Sequence, residues 1–182
     1  MKERTSGFTV IEFIVVTALI AAALMLVLGQ IGKGAVASKN ELAVKNIGTI
    51  VRALNTGGRD PLNGFVGLSA ASMINLGELP EHMIDRSGAT AVIRNLFGQP
   101  VTLAPDGTNT NSYVITYPGV DDKSCTEIAA RLLPGFDKIG IAAAAATPTT
   151  WRTAQSVGSA NAVSVFAGDC VNGANKMVLH GS

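Results

Sequence analysis

Few residues in this chain can do chemistry, and the most telling of them is a carboxylate where none is expected. Phe8 to Leu28 is an apolar run of 21 residues broken by one charge, Glu12. As a helix such a run spans about 30 Å, the thickness of a bilayer core. A carboxylate inside it is costly to desolvate and so marks a functional position. Phe8 follows Gly7, which closes a short charged head carrying Lys2, Glu3 and Arg4. Two cysteines, Cys125 and Cys170, are the next candidates. They lack a CxxC spacing, and His82 and His180 are far apart in sequence, so a metal site has little support. An even cysteine count behind an export-type N-terminus points to one disulfide in an oxidising compartment. Two buried thiols are the alternative if the chain folds in the cytosol. Asp121-Asp122 is a paired carboxylate, but its place before a helical pattern makes capping and helix-dipole stabilisation the better account. No Ser/His/Asp arrangement, phosphate loop or HExxH is present. No catalytic activity and no cofactor are therefore expected.

Composition narrows the class. The chain has 182 residues, a net charge of +1, 47% apolar and 15% charged residues. Without its N-terminal third, about 125 residues remain, enough for one domain with its own core. The near-neutral balance has no basic block, which argues against direct nucleic-acid binding. So few charges fit a protein whose surface is largely covered by copies of itself.

The N-terminal segment admits three readings. As an ordinary signal anchor, its length and the preceding Lys2 and Arg4 place the head in the cytoplasm and the remainder outside, but Glu12 has no role. As a conventional signal peptide, Ala35-Val36-Ala37 before Ser38 supplies a small-residue cleavage site, yet the apolar region exceeds the usual ~7–15 residues. The third reading places the cleavage between Gly7 and Phe8 and retains the apolar segment. It uses every residue, and with it the chain resembles the type IV prepilins. The family has a short basic leader ending in Gly, a mature chain opening with Phe or Met, Glu at mature position five, and a long apolar helix. Here Gly7, Phe8 and Glu12 occupy those positions, and Phe8-Thr9-Val10-Ile11-Glu12 differs from the commonest opening by one apolar exchange.

The resemblance implies a structural subunit that polymerises into a type IV pilus, serving adhesion, aggregation, motility or DNA transfer. It implies cleavage after Gly7 and N-methylation of Phe8 by a membrane aspartic peptidase. Cleavage takes the side-chain total from +1 to zero and leaves a new ammonium group on Phe8. In an assembling filament Glu12 can pair with the Phe8 ammonium of a neighbouring copy, which offsets two desolvation costs and fixes axial register. The plainer reading is a Glu that snorkels to the headgroups. Implied partners are identical subunits, the prepilin peptidase, an inner-membrane platform and a cytoplasmic assembly ATPase. The subunit is expected as a single-pass inner-membrane protein with a periplasmic head before assembly, and in an extracellular filament afterwards. Pilins carry a disulfide bounding a C-terminal region, and residues 125–170 fit it. A mature length of 175 residues and a helix between the cysteines resemble type IVb, whereas the short leader and Phe8 are more like type IVa. A type II secretion pseudopilin or a minor pilin shares this N-terminus. A membrane-anchored or secreted periplasmic binding domain is the rival of another class.

The elements that position these residues follow from periodicity. The expected order is a leader at 1–7, a filament-core or transmembrane helix at 8–31, its amphipathic continuation at 32–57, and a globular head at 58–182. Leu42, Ile47, Ile50, Val51 and Leu54 mark the apolar side of the continuation, and Gly57-Gly58 ends it. Gly29, Gly32 and Gly34 weaken helicity midway. In the head, a short helix is expected near Ser69 to Leu76, ended by Gly77 and Pro80. Strands are expected at Ala91 to Arg94, Pro100 to Ala104 and Ser112 to Tyr117, with a hairpin turn at Pro105-Asp106-Gly107. Ser124-Cys125-Thr126-Glu127 has the capping-box pattern for a second helix, with Cys125, Ile128, Ala129 and Leu132 on one face and Pro134-Gly135 at its end. Ile141 to Thr150 reads as a loop or a short helix. Ala162 to Ala167 and Lys176 to His180 read as strands. Trp151 is expected in packed core rather than at an adhesive surface. The fold class is α+β, a long N-terminal helix packed on an antiparallel sheet.

Overall fold

Residues 36–53 are helical (α1), and a π turn over Leu54–Gly58 ends the helix at the glycine pair. The computed structural model describes residues 36–158, 160–171 and 173–182. The chain divides into two units, Met1–Ser38 and Lys39–Ser182. Segments 1–7 and 8–31, with Gly7, Phe8 and Glu12, lie outside the described residues. Among the described residues no helix is long and apolar enough to cross a membrane.

Asn40, Ala43, Ile47, Ile50 and Leu54 form one buried stripe on α1, at the alternating three- and four-residue spacing of a helix face. Leu42 was expected on that side, yet it is 49% exposed. At ~100° per residue it falls well round the helix from Ala43, and the polar Asn40 occupies the stripe instead. A short helix, α2 (Ala70–Leu76), follows. Ser69 caps it through a reciprocal box with Ser72, and Gly77, at φ 73°, closes it.

Seven strands form one antiparallel sheet. They are β1 (Ile84–Asp85), β2 (Val92–Arg94), β3 (Pro100–Asp106), β4 (Asn109–Val120), β5 (Lys138–Ala143), β6 (Trp151–Arg152) and β7 (Asn175–Gly181), in the order β1-β2-β3-β4-β7-β5-β6. The C-terminal strand thus sits between the two halves. Ile115 lies opposite Leu103 on one side and Leu179 on the other, and Leu179 lies opposite Ile139. These four belong to one core with the α1 stripe.

Three helices complete the head: α3 (Asp122–Leu132), α4 (Ala154–Val157) and α5 (Ala162–Asp169). Cys125, Ile128, Ala129 and Leu132 are buried on α3, as the spacing predicts. Its cap is Asp121, not Ser124. The Asp121 carboxylate accepts from the Ser124 N–H at 3.0 Å, and a charged acceptor suits a helix N-terminus better than a hydroxyl.

Three further expectations are corrected. Ala162 to Ala167 is helix rather than strand. Ala162, Val165, Phe166 and Cys170 turn inwards while Val163, Ser164, Ala167 and Gly168 are exposed, which is a 3.6-residue period that a short run of alternation concealed. The start of the Ile141 to Thr150 stretch is neither loop nor helix, because β5 runs through Ala143 alongside β7. The hairpin turn falls at Gly107-Thr108, leaving Pro105 and Asp106 in β3 beside a register shift. Asp106 accepts from both the N–H and the hydroxyl of Thr108, at 3.0 and 2.8 Å, and so draws the turn one step later.

Gly140 is required where it stands. A Cβ there would lie 2.7 Å from Pro148 and 2.8 Å from the Trp151 ring, so the indole covers the strand backbone directly. Gly140→Val is expected to lower unfolding free energy by about 1–3 kcal/mol through overpacking, read as a reduced midpoint in urea denaturation.

Candidate functional site in the disulfide-bounded half

Cys125, on the inner face of α3, is joined to Cys170 at the end of α5, with their Cα atoms 6.0 Å apart. Both are buried. The bridge fastens α5, which buries Phe166 fully and Ala162 and Val165 in part, to α3. In the chain-entropy account, closing 45 residues removes about 4 kcal/mol of freedom from the unfolded chain.

Polar ties hold the segments on either side. The Asp122 carboxylate accepts from the Gly173 N–H at 2.9 Å and from Asn175 Nδ2 at 2.8 Å. Asn175 is fully buried. Its amide also donates to the Val120 carbonyl, and its Oδ1 accepts from the Val171 N–H at 3.0 Å. The segment from Cys170 into β7 is thereby fixed on the start of α3. On the other side, Arg152 donates through Nε and Nη2 to both Asp169 oxygens, at 2.7 and 2.8 Å. This two-pronged pair raises the Arg152 pKa and attaches the two-residue edge strand β6 to α5.

Trp151 is half-buried in that edge strand. Its ring meets His180 edge-on at 4.7 Å, and Lys138 Nζ lies 5.0 Å from its centre. His180 in turn hydrogen-bonds Asp106 through Nδ1 at 2.9 Å. The Thr108 N–H and hydroxyl, then His180, hold the Asp106 pKa at about 2. Asp106 is therefore ionised near neutrality, and Nδ1 donates. His82 is exposed. Elsewhere in the head, Asn40 on α1 donates to Glu127 on α3 at 2.7 Å. Sequence reasoning missed this tie and the Arg152–Asp169, Asn175–Asp122 and His180–Asp106 contacts, whose partners lie 17 to 87 positions apart. Among the described residues no group of three or more His, Cys, Asp or Glu is placed to hold a metal ion. The contacts above join no nucleophile to a base; what they do is hold a surface in one shape.

A helix packed on an antiparallel sheet, with a disulfide-tied C-terminal half, is the architecture of a type IV pilin of the type IVb kind. The crystal structure of the type IVb pilin from Salmonella typhi matches with a TM-score of 0.57 at 21% identity, over 76% of this chain and 97% of that one. TcpA, a type IV pilin from Vibrio cholerae El Tor biotype, matches with a TM-score of 0.50 at 13% identity, over 80% of this chain and 99% of that one. At these identities the likeness is one of fold. The family is shown by sequence: a family model described as PilS N terminal matches residues 37–182, and the chain belongs to that family. None of the curated proteins matches it.

Replacing both cysteines, Cys125→Ser with Cys170→Ser, is expected to cost about 2–4 kcal/mol of stability, measured by denaturant unfolding against the oxidised chain. Asp106 gives a pH dependence. Its folded pKa of about 2 lies below the ordinary aspartate value of 3.8, so its contribution is complete above the unfolded pKa and is lost as pH falls through about 2. Asp106→Asn is expected to lose less stability than the parent between pH 4 and pH 2, read from thermal midpoints across that range.

Proposed function

We propose that this chain is the structural subunit of a type IV pilus. The observation that carries the reading is the pilin fold of residues 39–182, set directly behind a segment with Gly7, Phe8 and Glu12 at the family's positions. The peptidase cleaves after Gly7 and methylates Phe8. The apolar segment holds the subunit in the inner membrane with its head in the periplasm. An inner-membrane platform and an assembly ATPase then draw subunits into a homopolymer outside the cell. Family membership over most of the head supports a structural rather than catalytic task.

Glu12 makes assembly specific. A lone carboxylate within an apolar bundle is unfavourable, and pairing with the Phe8 ammonium of the neighbouring copy relieves it only at one axial offset. The test is mass spectrometry of the N-terminus in sheared surface filaments. A chain opening with N-methylated Phe8 supports the reading; one opening at Ser38, or the absence of filaments, overturns it. Glu12→Ala is expected to be cleaved normally but to yield few filaments, scored by electron microscopy. Normal piliation by that variant removes Glu12 from the mechanism.

A further inference from the structure

Two exposed apolar groups sit at opposite ends of the head, each on a loop held stiff by its own hydrogen bonds. At one end, the loop after α1 presents Leu62 at 93% exposure and Val66 at 60%. Its shape is strongly determined. Asp60 and Gly64 exchange backbone hydrogen bonds at 2.7 and 2.9 Å, and Asp60 Oδ1 accepts from the N–H groups of Leu62 and Asn63, each at 2.8 Å. Gly64, at φ +65°, lies against the Thr110 carbonyl with no room for a Cβ. Phe65 is buried beneath, 5.1 Å from the Tyr113 ring.

At the other end, the β2–β3 turn presents Leu96 at 37% exposure, with Leu42 of α1 at 49%. Asn95 organises this turn. Its Oδ1 accepts from the N–H groups of Phe97 and Gln99, each at 2.9 Å, and its Nδ2 donates to the Pro118 carbonyl at 2.7 Å. Lys39 Nζ sits 4.1 Å above the Phe97 ring, which brings the turn to the start of α1. Two independent rulers separate the ends. From Lys39 to Leu54 along α1 is ~22 Å. From Thr110, beside the first loop, to Pro118, beside the turn, is ~26 Å of extended strand.

An open polymer built by repeated translation requires two unlike, mutually fitting patches at opposite ends, whereas a closed dimer uses one self-complementary patch. The apolar segment 8–31 joins the head at the Lys39 end by chain connectivity. In a polymer that extends along α1, the turn end of one head faces the loop end of the next. Charges at the turn are mixed in sign, since Arg94 donates to the Gly98 carbonyl and pairs with Asp85 while Lys39 lies over Phe97, which leaves the apolar side chains to make the contact. Leu76, Val163 and Val171 are exposed elsewhere, on α2 and around α5.

We infer that the Leu62–Val66 loop of one copy seats against the Leu96–Leu42 end of a second copy along the filament. The inference rests on the pilus-subunit reading. Preformed loops lose little entropy on contact, and an apolar side chain on a rigid support is the anchor that interfaces favour.

The test places the photo-cross-linker p-benzoylphenylalanine at position 62 of the full chain, irradiates sheared filaments and maps the products by mass spectrometry. Cross-links from position 62 to residues 39–45 or 94–99 of another copy are expected. Filaments whose intermolecular cross-links fall elsewhere, or that give none, overturn the contact and leave the pilus reading intact. Failure of the unmodified chain to form filaments overturns both. Leu62→Asp, at a fully solvated position, is expected to lower filament yield about tenfold, the equivalent of 1.4 kcal/mol. Its disulfide and thermal midpoint should match the parent, and Leu62→Met should retain parental yield. Parental yield from Leu62→Asp overturns the contact.

Discussion

The head depends on burying one stripe of α1. Ala43, Ile47, Ile50 and Leu54 are almost wholly removed from solvent, and each large side chain among them contributes about 1.5–3 kcal/mol by that burial. The stripe needs an apolar surface wide enough to receive it, and no hairpin in the chain supplies one alone. The sheet becomes wide enough only when β7 enters between β4 and β5. Met177 and Leu179 of β7 then lie between Ile115 and Tyr117 on one side and Ile139 and Ile141 on the other. The last residues of the chain therefore complete the surface on which its first described helix rests.

Away from that surface the means of stabilisation change. The stretch from β5 to β7 holds a two-residue strand, a four-residue helix and an eight-residue helix, too little to bury a core of its own. Covalent and polar ties take over. The disulfide fixes α5 to α3, Arg152 and Asp169 fix β6 to α5, and Asn175 and Asp122 fix the approach to β7. The Arg152–Asp169 pair is partly exposed and contributes ~1 kcal/mol or less. Asn175 matters more, because its fully buried amide finds partners on both of its atoms and replacing it by a shorter side chain would strand them.

The sequence made the strong, local patterns legible. The α1 stripe, the glycine stop of α2, the alternation of Tyr113, Ile115 and Tyr117 and the inner face of α3 are local patterns that need no distant partner to be read. Where it misled, a distant partner decided. Asn40 takes a place in the α1 stripe because Glu127, on α3, supplies a hydrogen bond that no local pattern contains. Glu127 is also the residue that a capping box would have turned back towards Ser124, so one long-range contact explains two misread positions. Ala162 to Ala167 is too short and too uniformly apolar for its period to show, and its inward side becomes visible only once Cys170 is attached to Cys125. Of the candidate site residues, the cysteines were legible as a pair by their number and context. The polar network around them was not, because hydrogen bonds between side chains far apart leave no spacing to detect.

The placement of the two end loops has a mechanical consequence. α1 and β4 run in opposite directions between the same two ends of the head, and their buried residues share one core. The loop carrying Leu62 is anchored to the start of β4 through Thr110 and to the end of α1 through the π turn. The turn carrying Leu96 is anchored to the end of β4 through Asn95 and to the start of α1 through Lys39 and Phe97. Each end is thus referenced twice to the same pair of elements, so displacing one loop relative to the other would require shearing α1 along the sheet. Such shear would pull Ile47 and Ile50 out of a close-packed core, whose gaps water cannot fill. Glu127 adds a second restraint, since Asn40 holds α3 at one height on α1, and the disulfide passes that restraint on to α5. The spacing between the two ends is therefore set by core packing rather than by the loops themselves, which is what a subunit repeated many times along one axis needs from its fold.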